Sequence, residues 1–178
     1  RLQPLGLQLV QEGEGRLTDL ELASRLSFFL WSSIPDDTLL SLAETGQLQK
    51  PGVMDAQITR MLADPRAQAL TTNFAGQWLY IRDVDNAIPD PWVFREFDDS
   101  LRHAMAEEMR IFFRSFVFED RSMIELLTAT DTWVNRRLAE HYGLEGPDVP
   151  TSDDTWKKLS VEAVGRRGIL TQAGLLTA

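Results

Sequence analysis

Cysteine is absent from the 178 residues, and only two histidines occur. Without thiols, these residues cannot form a disulfide, a zinc–thiolate site, an iron–sulfur cluster, a thiol nucleophile or a covalent c-type haem attachment. Long apolar runs are missing too: no stretch of about 18 uncharged apolar residues occurs, so the sequence predicts no transmembrane helix and no membrane insertion. Glycine-rich nucleotide loops, serine-hydrolase elbows and His-Glu-x-x-His metal motifs are also lacking.

Basic residues are outnumbered, with 18 Lys and Arg against 27 Asp and Glu, which gives a formal net charge of −9. Nucleic acids and anionic membranes are polyanions, so this balance argues against both as main partners. Apolar residues make up 43% and charged residues 25%, which is typical of a globular chain. The length matches one ordinary domain with a real hydrophobic core.

Hydrophobic spacing predicts an all-α fold, a single compact domain of about seven or eight helices. Residues 1–17 are expected to form an irregular lead-in, and residues 18–178 the helical domain. Thr18 and Glu21 fit a capping box at the first helix. The longest helix is predicted to begin at Asp98 and Asp99 and to run to about residue 118. Its apolar stripe consists of Leu101, Met105, Met109, Phe112 and Phe116.

The second half of the chain contains the least regular patterns. Residues 156–161 form the only plausible strand, so we expect at most a two-stranded ribbon near residues 156–166. Asp131 or Thr132 is predicted to cap a helix that continues through His141. Residues 66–80 are predicted to form one helix, and an apolar helix is predicted after Gly168. That last apolar run stops without a capping signal at Ala178, so we expect the parent chain to continue.

His103 lies four residues from Asp99 and from Glu107, so the three side chains share one helical face. Such a cluster is a candidate metal site. The same face continues through Arg110 and Arg114, opposite the apolar stripe. Ordinary surface ion pairs explain this pattern, and we expect His103 to be exposed and dispensable.

His141 is the more informative histidine, because it shares a predicted inward stripe with Leu138 and Val134. A buried imidazole needs a hydrogen-bond partner, and this is the commoner arrangement. The alternative is that a free ring nitrogen ligates a metal or haem iron. Gly143 ends the predicted helix, so the ring is expected near a helix C-terminus.

The segment Gly165-Arg166-Arg167-Gly168 precedes the last predicted helix. Two guanidiniums and free amides could bind a phosphate, a carboxylate or a haem propionate. The alternative is that the arginines pair with carboxylates such as Asp131 or Glu140. His141, Arg166 and Arg167 are therefore the candidate cofactor-binding residues, and no catalytic or metal residue is predicted.

Adjacent acidic pairs occur at residues 36–37, 98–99 and 107–108. Neighbouring side chains on a helix point about 100° apart, so such pairs rarely share a catalytic site. The first two pairs lie where helix N-termini favour anions. We therefore assign no catalytic carboxylate.

Four strings, taken in order, resemble a known family. They are ELASRLSFFLWSS at residues 21–33 followed by PDD at 35–37, NFAGQWL at 73–79, LAEHYG at 138–143 and GRRGILTQ at 165–172. Together they resemble the helical domain of unknown function found in planctomycete-type, cytochrome c-associated multidomain exported proteins. The resemblance covers roughly residues 17–178. It implies an extracytoplasmic location and a following domain that carries haem c, while no cofactor is expected within these residues.

Three functions remain open at this point. The first is a helical scaffold or interaction domain, without chemistry of its own, that contacts the rest of the parent chain or a neighbouring cytochrome-type domain. The second is part of a peroxidase-like or oxidase-like redox enzyme, with this domain lining the haem pocket. The third is an acidic accessory subunit of a larger complex.

Overall fold

A computed structural model describes residues 17–119 and 121–178, so most of the predicted lead-in lies outside the described residues. The described part is mostly helical, as predicted. Its α-helices are α1 (Asp19–Trp31), α2 (Asp37–Glu44), α3 (Val53–Ala63), α4 (Gly76–Trp78), α5 (Ile81–Val84), α6 (Asp99–Phe118), α7 (Glu125–Thr128), α8 (Arg136–Tyr142) and α9 (Ala173–Thr177). A two-stranded antiparallel sheet, β1 (Asp131–Val134) and β2 (Lys157–Ser160), completes the regular structure together with short 3₁₀ turns and one π-helical segment.

Polar side chains cap the N-termini of α1, α2 and α6. The predicted capping box at α1 is confirmed: the Glu21 amide donates to the Thr18 hydroxyl at 3.3 Å, and the Thr18 amide donates to the Glu21 carboxylate at 2.9 Å. Asp36 caps α2, and Asp98 caps α6 by accepting from the Leu101 amide at 2.7 Å. Each cap satisfies an amide that has no partner inside its helix.

Two hydrophobic clusters form the core of the described residues, and both include contacts with α6. The larger one surrounds the predicted stripe of α6, all five residues of which are buried, and adds α5, α8, α9 and the sheet. The smaller one joins α1, α2 and α3. Val117, near the end of α6, packs against both clusters. Within the described residues no helix is long and apolar enough to cross a membrane.

The segment before His141 differs from the prediction. Residues 131–134 form β1 rather than the first turn of a helix, and α8 begins at Arg136 after the Asn135 cap. β1 pairs with β2 in a register that places Thr132 opposite Leu159 and Val134 opposite Lys157. Thr, Trp and Val suit a pleated, half-buried surface, and the predicted strand at 156–161 supplies the partner.

The predicted helix over residues 66–80 is also less regular than expected. It consists of a 3₁₀ turn at Pro65–Ala67, a π-helical segment at Leu70–Ala75 and the single turn α4. The predicted last helix is likewise divided into a 3₁₀ turn, Ile169–Thr171, and α9. α9 lies very close to α6, because a Cβ on Gly174 would be 2.5 Å from the Met109 sulfur.

Candidate functional site

An open cleft of about 820 Å³ lies between α6, α8, α9 and the loop of residues 85–98. Its wall is mainly apolar, and Val93, Phe94, Leu101, Met105, Ala173 and Leu176 contribute most of that character. The polar side chains on the wall include Arg95, Glu96, His141 and Arg166. An apolar concavity with a few convergent polar groups is the usual form of a ligand site.

Two arginines fasten the 85–98 loop, which forms one wall of the cleft. Arg102 on α6 donates to the Ala87 carbonyl at 3.0 Å and lies over the Phe97 ring at 5.2 Å. Arg137 on α8 donates to the Glu96 carbonyl. The loop is therefore held to both helices that form the opposite walls, although it has no regular secondary structure after α5.

His141 occupies the last turn of α8 and is half-buried in the cleft wall. Burial lowers the pKa of His141, and the neighbouring charges of Arg166 and Arg137 lower it further. The imidazole is therefore mainly neutral near pH 7, with one ring nitrogen able to donate and the other able to accept. Its ring centroid is 5.6 Å from that of Tyr142.

The two arginines of the glycine-flanked turn point to different places. Arg166 lies with its guanidinium 4.1 Å from the centre of the Tyr142 ring, donates to the Thr171 carbonyl and lines the cleft together with His141. Arg167 is outside the cleft wall and pairs with Glu162 at 2.6 Å, with more than half of its side chain exposed. The structure thus brings His141 and Arg166 together and separates Arg167 from them.

The carboxylates expected as partners for these arginines are used elsewhere. Asp131 pairs with Arg121 and Lys158, each at 3.1 Å. Glu140 pairs with Arg136, one turn earlier on the same helix, at 2.7 Å. The two acids named as partners were therefore wrong, because Arg121, Lys158 and Arg136 already satisfy them. The expected type of partner is found for Arg167, which pairs with the carboxylate of Glu162.

Behind the cleft lies a buried carboxylate, Glu108, which sequence analysis missed. Glu108 is completely buried and accepts hydrogen bonds from the Tyr142 hydroxyl at 2.6 Å and from the Thr132 hydroxyl at 2.7 Å. The Tyr142 oxygen accepts from the Ala173 amide at 2.9 Å, and the Thr132 oxygen accepts from Gln172 at 3.1 Å. Each hydroxyl thus accepts one hydrogen bond and donates one to the carboxylate. This network ties α6 to β1, α8 and the start of α9.

Two effects oppose each other at Glu108. Burial raises its pKa from 4.5 to about 7, while the two hydroxyl donors and the nearby Arg166 charge oppose that rise. The pKa of the Tyr142 phenol is raised well above its usual value by burial and by Glu108. The sequence did contain a signal for this site: Glu108 lies three residues after Met105 and four before Phe112, so it belongs to the inward stripe of α6.

A second feature is an exposed aromatic face, formed by Phe29, Phe74 and Trp78. Phe29 and Phe74 meet edge to face with ring centroids 5.2 Å apart, and Phe74 stacks on Trp78 at 5.6 Å. The ring centroid of buried Phe113 lies 6.2 Å from those of Phe74 and Trp78. The three rings of this aromatic face are 51%, 37% and 49% exposed, so a continuous aromatic surface meets solvent.

The backbone around the aromatic face is unusual. Ser32, which ends α1, and Tyr80, which follows α4, adopt φ of 51° and 55° although neither is glycine. The π-helical segment Leu70–Ala75 places Phe74 on this surface, and Asn73 donates to the Ser32 hydroxyl at 2.7 Å. π-helical turns and positive-φ side chains often mark functional positions. Gln77, next to Trp78 in α4, is exposed.

A search of the curated proteins and a search of the solved structures find no similar protein. Residues 17–144 match the PSD4 family, described as "Protein of unknown function (DUF1592)". The matched region runs from the cap of α1 to the end of α8, and so includes the aromatic face, Glu108 and His141. Because the match covers most of the chain, this protein belongs to the DUF1592 family.

Proposed function

We propose that this chain is a helical interaction domain of a larger exported, haem-associated protein and has no chemistry of its own. The observation that carries the proposal is the exposed aromatic face of Phe29, Phe74 and Trp78. Its partner is the remainder of the parent chain or a neighbouring cytochrome-type domain. Aromatic side chains dominate the energetics of protein interfaces because each buries a large area at low entropic cost.

The area involved is large enough to matter. Each ring of the aromatic face is about half exposed, and an aromatic side chain presents roughly 200 Å². Covering all three would bury roughly 300 Å², which at about 25 cal/mol per Å² contributes about 7 kcal/mol before the costs of association. For a contact within one polypeptide these costs are reduced, since the linker keeps the partner close.

The larger context rests on the family resemblance and on composition. The four motifs resemble the helical domain of cytochrome c-associated exported proteins, and the chain contains no cysteine to which haem c could be attached. In this proposal the haem therefore belongs to a neighbouring part of the parent protein, and the location is extracytoplasmic. The acidic charge of the domain is compatible with a protein partner and unfavourable for nucleic acid.

Hydroxyl-radical footprinting of the parent protein, purified from its natural source, tests this proposal. The radical oxidises aromatic side chains according to their exposure, and the chain provides its own references: Trp31 is 3% exposed and Trp92 is 82% exposed. If the aromatic face is covered, Trp78 and Phe74 react as slowly as Trp31, while Trp92 reacts fast. Reaction of Trp78 at about half the rate of Trp92 would show an uncovered face and refute the interface.

A redox role is the second candidate, and one observation favours it: His141 and Arg166 line the same cleft. There the guanidinium would pair with a haem propionate supplied by the neighbouring domain. Steady-state turnover of peroxide by the parent protein would support this role, and a Soret band without turnover would support the interaction domain. A parent protein without a Soret band would leave the third function, an acidic accessory subunit.

A further inference from the structure

The cleft differs in charge from the rest of the molecule. The chain carries a formal charge of −9, yet the cleft wall presents two guanidiniums, Arg95 and Arg166, against one carboxylate, Glu96. Arg95 has no ion-pair partner among the described residues. With His141 neutral, the wall carries about one net positive charge inside a mainly apolar cavity.

The polar end of the cleft is fixed rather than flexible. Arg166 lies against the Tyr142 ring, and one of its terminal nitrogens donates to the Thr171 carbonyl. Tyr142 is itself held by Glu108 and by the Ala173 amide. The guanidinium is therefore positioned before any ligand arrives, so little side-chain entropy is lost when it binds an anion.

The apolar part of the cleft is formed by α6 and α9. Leu101 and Met105 provide a buried floor, and Leu176 forms an exposed wall. A volume of about 820 Å³ falls within the range of small-molecule sites. The cleft therefore has an apolar chamber and, at one end, a preorganised cation beside a neutral imidazole.

We propose that this cleft binds a small amphiphilic carboxylate, with its apolar body along α6 and α9 and its carboxylate at Arg166 and His141. A planar carboxylate matches the fork of a guanidinium, and His141 supplies an additional donor. The single negative charge equals the net charge of the wall, whereas Glu96 disfavours a dianionic phosphate. This site is independent of the aromatic face, so either proposal can fail without the other.

Isothermal titration calorimetry of the full chain with dodecanoate tests the site, and dodecanol and dodecyl phosphate serve as comparison probes. Dodecanoate is expected to bind about tenfold more tightly than dodecanol, because a charge-assisted pair is added to the same apolar contact. Equal affinity for the acid and the alcohol, or no binding of either, would overturn the proposal. Tighter binding of the phosphate would overturn the assignment to carboxylates.

Substitutions at two exposed leucines provide a matched pair. Leu176 lines the cleft and is 68% exposed, whereas Leu170 is 58% exposed and outside the cleft wall. Leu176→Asp places a negative charge in the cleft and should weaken dodecanoate binding at least about tenfold, while Leu170→Asp should leave it within about twofold. Equal effects of both substitutions would place the ligand elsewhere.

The two histidines provide a spectroscopic readout. A carboxylate bound beside His141 raises the pKa of that imidazole, so its NMR titration should move to higher pH with dodecanoate and not with dodecanol. The His103 resonances, on the exposed face of α6, should not respond to either probe. A dodecanoate complex in which the His141 titration is unchanged would refute the placement of the carboxylate.

Discussion

Replacing Glu108 with glutamine should make the protein less stable than the natural protein at acidic pH and more stable at alkaline pH. In the folded protein the pKa of Glu108 is raised to about 7, since the carboxyl is fully buried, whereas its ordinary value is 4.5. Between these two pH values the folded state holds a proton that the unfolded chain releases. The free energy of unfolding therefore falls as the pH rises, and this contribution is lost through about pH 7.

The magnitude follows from the size of the shift. A displacement from 4.5 to about 7 corresponds to about 3 kcal/mol between the acid and neutral limits. Glutamine cannot ionise, so the variant avoids this loss. Its amide nitrogen replaces an acceptor that one hydroxyl requires, which costs about 1 kcal/mol. Glu108→Gln should thus be about 1 kcal/mol less stable than the natural protein at pH 4.5 and about 2 kcal/mol more stable at pH 8.

Urea denaturation followed by circular dichroism at several pH values between 4.5 and 8 measures this difference. The free energies of unfolding of Glu108→Gln and of the natural protein are subtracted at each pH, which cancels the contributions of the other titrating groups. One of these groups is His141, whose lowered pKa makes stability rise with pH. Glu107→Gln is the control on the same helix: its ion pair with Arg110 is partly exposed, so its loss should cost about 0.5 kcal/mol or less. A Glu108→Gln difference that stays constant with pH would show that Glu108 remains ionised in the folded protein.

Three further changes test other contacts. Gly168→Ala should lower the free energy of unfolding, measured by urea denaturation, by about 3 kcal/mol, because φ is +53° and the new Cβ would lie 2.3 Å from the backbone of Leu127 in α7. Gly165→Ala has a positive φ but open space around it, so it should cost only about 1–2 kcal/mol. Equal costs for the two substitutions would contradict the close contact at Gly168. Tyr142→Phe removes a hydrogen-bond donor to Glu108 and should lower the free energy of unfolding by about 2 kcal/mol. It should also move the loss of stability that accompanies ionisation of Glu108 to higher pH. If the midpoint of that loss is unchanged, the hydroxyl does not stabilise the carboxylate. His103→Ala should change the free energy of unfolding by less than about 0.5 kcal/mol, and a larger loss would show that the side chain packs.

Local sequence predicted the long elements well and the short ones poorly. The stripe of α6 repeats over about four turns, and its cap and every apolar position were confirmed. β1 has only four residues, and whether it forms a strand depends on β2, more than 20 residues later. The predicted helix over residues 66–80 failed for a similar reason, since nothing in its spacing indicates where a π-helical turn will appear.

The candidate site shows the same division. The sequence singled out His141 and Arg166 by type and context, and the structure placed both on one cleft. It could not separate Arg166 from Arg167, because the direction of each side chain depends on the positive φ of the flanking glycines and on the position of Tyr142. Glu108 was overlooked because it was considered as one of an acidic pair instead of a member of the α6 stripe.

By itself, the sequence determined the helical class, the caps of α1 and α6, the apolar stripe of α6 and the exclusion of thiol chemistry, because these depend on residue type and on spacing within a few turns. Only the tertiary structure decided which polar groups meet. The network of Glu108 joins residues 34 positions apart, from α6 to α8, and extends to the start of α9, and the aromatic face joins α1 to α4 across more than 40 residues. Such contacts arise when separate amphipathic elements bury their apolar faces together, and that packing is a property of the whole chain.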